Sequence, residues 1–322
     1  MGDVSKIGVV TVTFNSAAVI GEFMESLLAQ SHTDFVLYVI DNVSVDDTLK
    51  QLRQYDDSRI RLIISPTNVG LAEGNNVGIR AALNDGCDYV LVINNDTVFD
   101  PNLFAELVEG LNYYQCDMVA PKILYFNDPK KIWCAGGYLS RIRASGMHFG
   151  KDRRDDGRFD QPRAVCFSPT CCLLMRKEVF DRVGLMDANY FVFYDDTDFC
   201  YRSHGAGVKF IYLPSARLLH KVSSLVGAHS DFTFHLCARN QVYYVLKNYP
   251  RWSAVFLLPV LQVRIFLKYL VLSPRLRSFW VAQKAFWEGI CLFKSRTKRA
   301  SGSLEPTGVL EIRRSLASRD SR

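Results

Sequence analysis

Tyr89-Val-Leu-Val-Ile-Asn-Asn-Asp96-Thr-Val98 reads as a strand that runs straight into a polar end. Its apolar run is short, as in strands buried on both faces of a parallel sheet. Open α/β sheets bind ligands at the carboxyl ends of their strands. Here that end carries Asn94, Asn95 and Asp96. One carboxylate at such a place suits a divalent metal with a phosphate behind it. The same residues also read as a turn, because Asp96 through Asp100-Pro101 can open a helix.

The flanking sequence repeats this unit. Residues 7–14, 36–40 and 60–64 are predicted strands. Residues 19–30 carry Val19, Ile20, Phe23, Leu27 and Leu28 at helical spacing. Ser44 followed by Asp47 predicts a capping box for a helix through Leu52, and 71–83 predicts another helix. Four alternations of strand and helix argue for a doubly wound, mostly parallel sheet. Beyond Leu111 strands are expected at 118–122, 165–175 and 208–213, and a helix at 177–183 ends at Gly184. Gly136-Gly137 marks a tight turn, 151–163 a charged mobile surface loop, and 234–249 a helix ended by Pro250.

Composition divides the chain. Its 322 residues are 48% hydrophobic, enough for a sizeable core in one large or two modest domains. The net charge of +6 hides a split: from Lys247 onward there are 15 Lys or Arg against 4 Asp or Glu. Such a basic segment suits an anionic membrane surface or nucleic acid, and no nucleic-acid-binding motif accompanies it. The apolar stretch 254–272 contains Arg264 and Lys268, which argue against a spanning helix and for an interfacial one. Arg275, Arg277, Lys284 and Lys294 add cationic contacts. Residues 295–322 read as a disordered basic tail. Nine cysteines without a Cys-x-x-Cys pair point to a reducing compartment. With a polar start and no signal peptide, the expected location is cytoplasmic, peripheral on the cytoplasmic face of the membrane.

Polar groups recur at successive strand ends: Thr13 and Asn15, then Asp41 and Asn42, then Asn95 and Asp96. In a parallel sheet these ends converge on one crevice. Asn68-Val-Gly70 and Asn75 follow the third strand and are candidates for close approach to a nucleotide. The first turn, Thr13-Phe-Asn-Ser-Ala, lacks the glycines of a dinucleotide fold, and a P-loop is absent. Asp195, Asp196 and Asp198 form an acidic cluster. Grouped like charges raise at least one pKa, which suits a general base. The aromatic stretch 190–194 ahead of them is a candidate acceptor wall. His220 can complete a metal shell begun by a carboxylate, and Arg202 and Arg239 with Asn240 are candidates for diphosphate contacts.

Taken together, the motifs resemble glycosyltransferase family 2, especially its rhamnosyltransferase-like branch. They are Val-Thr-Phe-Asn15, Ile-Asp41-Asn-Val-Ser-Val-Asp-Asp-Thr, Asn68-Val-Gly-Leu-Ala-Glu-Gly-Asn-Asn-Val-Gly, Ile-Asn-Asn-Asp96-Thr and Trp133-Cys-Ala-Gly-Gly. Gly184-Leu-Met-Asp, Tyr194-Asp-Asp-Thr-Asp-Phe-Cys-Tyr-Arg202, His220 and Arg239-Asn240 follow. The resemblance implies a GT-A (Rossmann-like) α/β fold, its mostly parallel central sheet flanked by helices, to which the basic, apolar segment read above adds a C-terminal helical membrane-associating extension. It implies a domain at 1–248, with a nucleotide-sugar-binding half at 1–115 and an acceptor half at 116–248, then an extension at 249–294. It further implies inverting transfer of one sugar, with rhamnose from dTDP-rhamnose as the first candidate, to a saccharide or lipid-linked saccharide in cell-surface polysaccharide synthesis. Asp96 maps onto the metal-binding acid for Mg²⁺ or Mn²⁺, His220 onto the late metal-ligand histidine, and Asp196 onto the general base. Asn94 replaces the first acid of the metal motif, and Asp195 replaces the Glu beside the base. A processive synthase is disfavoured, because Asn248 stands where that motif has Gln before Arg251-Trp252. The competing class is a noncatalytic nucleotide-binding or membrane-docking protein.

Overall fold

The strands form where aliphatic and β-branched residues alternate between two buried faces. In β1 (Ile7–Thr13) Ile7 and Val9 point to one side of the sheet and Val10 to the other. The computed structural model describes residues 5–222, 231–272 and 276–300. After β1 come α1 (Ile20–Leu28), β2 (Phe35–Asp41), α2 (Thr48–Leu52), β3 (Ile60–Ile64), α3 (Gly70–Asn84) and β4 (Tyr89–Ile93). These strands pair in parallel, in the order β3-β2-β1-β4. The alternation predicted from residues 7–93 is therefore present, element by element.

The second half is mixed. It contains β5 (Thr97–Phe99), α4 (Leu103–Tyr113), β6 (Met118–Tyr125), β7 (Asp128–Cys134), β8 (Gly137–Ser140), β9 (Ser145–His148), β10 (Arg163–Ala164) and β11 (Cys172–Arg176). Then come α5 (Glu178–Val183), α6 (Asp195–Gly205) and β12 (Phe210–His220). The sheet continues from β4 through β11, β6, β12 and β10. Strand β11 runs antiparallel to β4 and β6, while β12 runs parallel to β6. One face of the sheet packs on α1 and α4 through Phe23, Leu27, Phe104 and Leu107, and the other on α3 and α6 through Ile79, Ala82 and Phe199. Gly78 lets α3 lie close on the sheet: a Cβ there would meet Val10 at 2.4 Å.

Four expectations change. The strand predicted at 165–175 is confined to its end, Cys172–Arg176. The strand predicted at 208–213 continues to His220 past an irregularity between Leu213 and Arg217, so it carries His220 itself. Ser44 does not cap α2. Its Oγ accepts from the Asn15 N–H at 2.9 Å, and Asp46 accepts from the Thr48 N–H at 3.0 Å. The loop 151–163 is not loose, because the fully buried Lys122 ammonium of β6 holds Asp155 at 2.8 Å and also Asp160.

By contacts the chain divides into two compact units, between Thr233 and Phe234. The second contains most of α7 (Asp231–Asn248), α8 (Arg251–Leu272) and α9 (Leu276–Ala300). Helix α7 thus groups with the later helices, ahead of the boundary drawn at 248. Ala238, Val242, Ile265, Ala285 and Phe286 form the core of this unit. Helix α9 reaches Ala300, so 295–300 are helical, and the rest of the expected tail, 301–322, lies outside the described residues. No helix among the described residues is long and apolar enough to cross a membrane.

Removing a buried cation strands the acids it satisfied. Lys122→Met is expected to cost about 2–3 kcal/mol in a urea melt, less than a fully enclosed pair because Asp160 keeps solvent contact. Trypsin should then cut the 151–163 loop, which carries Arg153, Arg154 and Arg158, faster than in wild type.

Candidate active site

The parallel register brings the strand ends together. Thr13 at the end of β1 lies beside Asp41 at the end of β2, and its hydroxyl donates to Asp41 Oδ1 at 2.9 Å. The other Asp41 oxygen accepts from the Ser44 N–H at 2.9 Å, so a fully buried carboxylate is held by two donors. Asn15, at φ 51°, accepts from the Val45 N–H at 2.9 Å. Asn42 donates to the Gly70 carbonyl at 3.0 Å, which joins β2 to the start of α3. Asn95 donates to the Val12 carbonyl at 2.7 Å and to Ser16 Oγ at 3.2 Å. These amides fix the turns that frame the crevice.

Asp96 and His220 meet through strand pairing. His220 is opposite Thr97 in the antiparallel β5–β12 ladder, so its ring arrives beside Asp96. His220 Nε2 lies 3.2 Å from Asp96 Oδ1, and both side chains are nearly buried. The other ring nitrogen, Nδ1, is buried without a hydrogen-bond partner. An imidazole nitrogen 3.2 Å from a carboxylate fits a cation-binding pair, since hard divalent ions are commonly bound by one or two protein groups plus phosphate and water. Among the described residues no group of three His, Cys, Asp or Glu side chains is arranged to hold a metal ion. Trp133 forms a wall here: its indole stands edge-on to His220 at 4.5 Å and to His148 at 4.9 Å. His148 bonds the Trp133 carbonyl at 3.1 Å, and burial depresses its imidazole pKa to about 4.

The acidic cluster begins α6. Carboxylates are favoured in the first turn of a helix, where free N–H groups point outward. Asp198 is fully buried and spoken for, bonded to Arg202 Nε at 2.8 Å and to the Tyr190 hydroxyl at 3.1 Å. Arg202 in turn donates to the carbonyls of Val183 and Leu185. This pair anchors α6 internally, although both residues were expected to face a diphosphate or an acceptor. Asp195 and Asp196 differ from them. Burial raises both carboxyls, and the neighbouring Asp196 charge raises Asp195 further, to about 8. Asp196 rises to about 6, restrained by bonds from the Thr197 N–H and hydroxyl. Asp195 Oδ2 is buried without a partner.

Two buried thiols connect the halves of the site. Burial pushes Cys171 well above its ordinary range, with the Asp96 charge as the next contribution. Burial likewise raises Cys134 to about 12, with Asp196 adding to it, and Cys134 and Cys171 also sense each other. Arg239, by contrast, belongs to the second unit, where its Nε donates to Asn240 at 2.8 Å.

Sequence reasoning missed two ties between α3 and the acidic segment. The Asn76 amide bonds the Met186 backbone twice, its Nδ2 donating to the carbonyl at 2.9 Å and its Oδ1 accepting from the N–H at 2.9 Å. Neighbouring Asn75 lies 3.8 Å from the Met186 sulfur. The Phe191 carbonyl accepts from the Leu71 and Ala72 N–H groups at 2.6 and 3.2 Å, and so occupies the start of α3. Phe191, Phe193 and Tyr194 all have φ near +65 to +70°, a conformation that costs bulky residues energy. Nothing in single-residue propensity signals such a segment. Asn68 Oδ1 accepts from the Gly70 N–H at 3.0 Å. Gly70 has φ +83°, and a Cβ there would lie 2.5 Å from Phe191. Its smallness serves this protein contact. Gly70→Ala should thus destabilise the fold by more than about 2 kcal/mol in a denaturant melt, and increase amide exchange across 190–194.

The fold has known counterparts. The family model described as glycosyl transferase family 2 matches residues 8–184. The chain is 25% identical over 259 residues to the dTDP-rhamnosyl transferase RfbF of Shigella flexneri, covering 79% of this chain and 80% of that one. It is 25% identical over 260 residues to the N-acetylglucosaminyl-diphospho-decaprenol L-rhamnosyltransferase of Mycobacterium tuberculosis, covering 74% and 82%. Among solved structures, the mannosyltransferase PcManGT of Pyrobaculum calidifontis, in complex with GDP-Man and Mn²⁺, aligns with a TM-score of 0.52. That alignment covers 97% of this chain and 79% of the other at 15% identity, and so speaks for the fold alone. With over half its length matched by the family model, and its polar strand ends gathered as described, the chain belongs to glycosyl transferase family 2.

Proposed function

We propose that the protein transfers one sugar, with inversion, from a nucleotide-sugar donor to a saccharide or lipid-linked saccharide during cell-surface polysaccharide synthesis. One observation carries this reading: the β5–β12 ladder sets His220 against Asp96 at the carboxyl ends of the parallel strands, and an acid pair with raised pKa values, Asp195 buried and Asp196 half-buried, opens α6. The likeness to a dTDP-rhamnosyl transferase and to an L-rhamnosyltransferase supports dTDP-rhamnose as the donor. The second of those names specifies a lipid-diphosphate acceptor, which supports an acceptor held at an anionic membrane surface. The proposed location is peripheral, on the cytoplasmic face.

The roles follow from charge. Thr13, Asn15, Asp41, Asn42, Asn68, Gly70, Asn75 and Asn95 frame the donor crevice. Asp41, buried and bonded to Thr13 and Ser44, fixes the turn that shapes this crevice. Asp96 and His220 would hold Mg²⁺ or Mn²⁺, which supplies positive charge to the diphosphate. Burial raises both Asp195 and Asp196, their mutual repulsion lets the pair retain a proton, and the bonds from Thr197 favour the charge on Asp196. Asp196 accepts the proton of the acceptor hydroxyl. That oxygen forms a bond to the anomeric carbon, and the nucleoside diphosphate departs from the opposite face with the electrons of its C–O bond.

Asp96→Ala should weaken Mn²⁺-dependent donor binding at least about tenfold in calorimetry with a panel of nucleotide sugars. Unchanged metal-dependent binding would move the metal site elsewhere. Asp196→Asn should bind donor normally while transfer drops by about a hundredfold or more. In wild type the base works only when ionised, so transfer should rise with pH through about 6. A rate that is flat from pH 5 to 7 would sink the assignment of Asp196.

A further inference from the structure

Helix α8 is apolar on both of its faces. On one side Leu261 and Ile265 are buried, and Ile265 joins Ala285 and Phe286 of α9 in the core of the second unit. On the other side Trp252, Val255, Phe256, Val260, Val263 and Leu267 each expose half of their surface or more, Trp252 reaching 71% and Phe256 73%. Steps of three and four residues place all six on one stripe. A solvated helix face is normally polar, and a contiguous exposed apolar stripe marks an interaction surface. Helix α9 has a stripe of its own. Trp280 and Trp287 are exposed at 70% and 59%, and Lys284, Cys291 and Lys294 are exposed at the same spacing.

Charge identifies the occupant. Residues 251–300 contain ten Lys or Arg and a single acid, Glu288. That acid is engaged, bonded to His235 at 2.6 Å and 3.8 Å from Lys284. Arg251 and Arg264 lie exposed along the α8 stripe. A second copy of this chain would set cations against cations in an isologous contact. An anionic bilayer complements both properties, since tryptophan favours the headgroup region and Lys and Arg are drawn to lipid phosphates. No described helix can span a membrane, so such a contact lies on the surface.

We propose that the exposed faces of α8 and α9 dock the enzyme on an anionic lipid surface, with the tryptophans and Phe256 entering the headgroup layer and the arginines and lysines meeting lipid phosphates. This deepens the proposed function, because it rests on an acceptor held at a membrane and names the surface that reaches it.

The test is sedimentation of the full chain with vesicles of phosphatidylcholine containing phosphatidylglycerol, against pure phosphatidylcholine. Binding should favour the anionic vesicles and weaken as salt is raised. The double variant Trp252→Glu/Phe256→Glu should lose about a hundredfold in affinity. Both positions are exposed, so donor binding by the same preparation should be unchanged. Of the nine cysteines Cys291 is the exposed one, and an environment-sensitive dye attached there should shift to the blue on anionic vesicles. Equal sedimentation of wild type and variant, or a dye spectrum unmoved by vesicles, overturns the proposal. Stripe-dependent self-association in vesicle-free buffer also overturns it, by assigning the face to a second copy. Vesicle binding is read without donor, so a chain that binds vesicles and no nucleotide sugar would sink the transfer reading alone.

Discussion

The short ladder between Thr97–Phe99 and Leu218–His220 is the contact on which the site depends. A parallel sheet brings the ends of β1, β2 and β4 together and sets Asp96 on the turn after β4, while its histidine comes from the other half of the chain. The ladder imports His220 from more than a hundred residues away and holds the imidazole against the carboxylate. Its geometry is set by β12, which must pair with β6 along most of its length and still reach β5. The irregularity between Leu213 and Arg217, next to Pro214, bends the strand so that it can serve both.

A second constraint joins α3 to the acidic segment. The amide of Asn76 grips Met186, and the Phe191 carbonyl satisfies N–H groups at the start of α3. Free N–H groups at a helix start can receive an anion. Here a peptide carbonyl takes that position, so the neutralisation of a diphosphate falls to other groups. The backbone at Phe191, Phe193 and Tyr194 is costly, and these hydrogen bonds hold it in place.

Much of this was legible in the sequence. The apolar run of β4 and its polar terminus specify a strand and its ligand-facing end, because burial on both faces leaves a strong local pattern. Asp41, Asn95 and Asp96 fell at strand ends for the same reason. The second half was harder to read. Lys122 looks like an ordinary surface lysine until the loop carrying Asp155 and Asp160 folds over it, and the 151–163 stretch is charged because it completes that pair. Arg202 and Asp198 looked like ligand contacts, yet they sit one helical turn apart and bond each other. Ser44 showed capping-box spacing, but its hydroxyl serves Asn15 instead. In each case the deciding partner is distant in sequence or competes with the local one, and periodicity carries no record of it.

The thiols beneath the site have a further electrical consequence. Burial holds Cys134, Cys171, Cys172 and Cys200 in the neutral form. Neutral thiols offer Asp96 and Asp196 no compensating charge, so compensation has to come from a cation on the ligand side of the sheet.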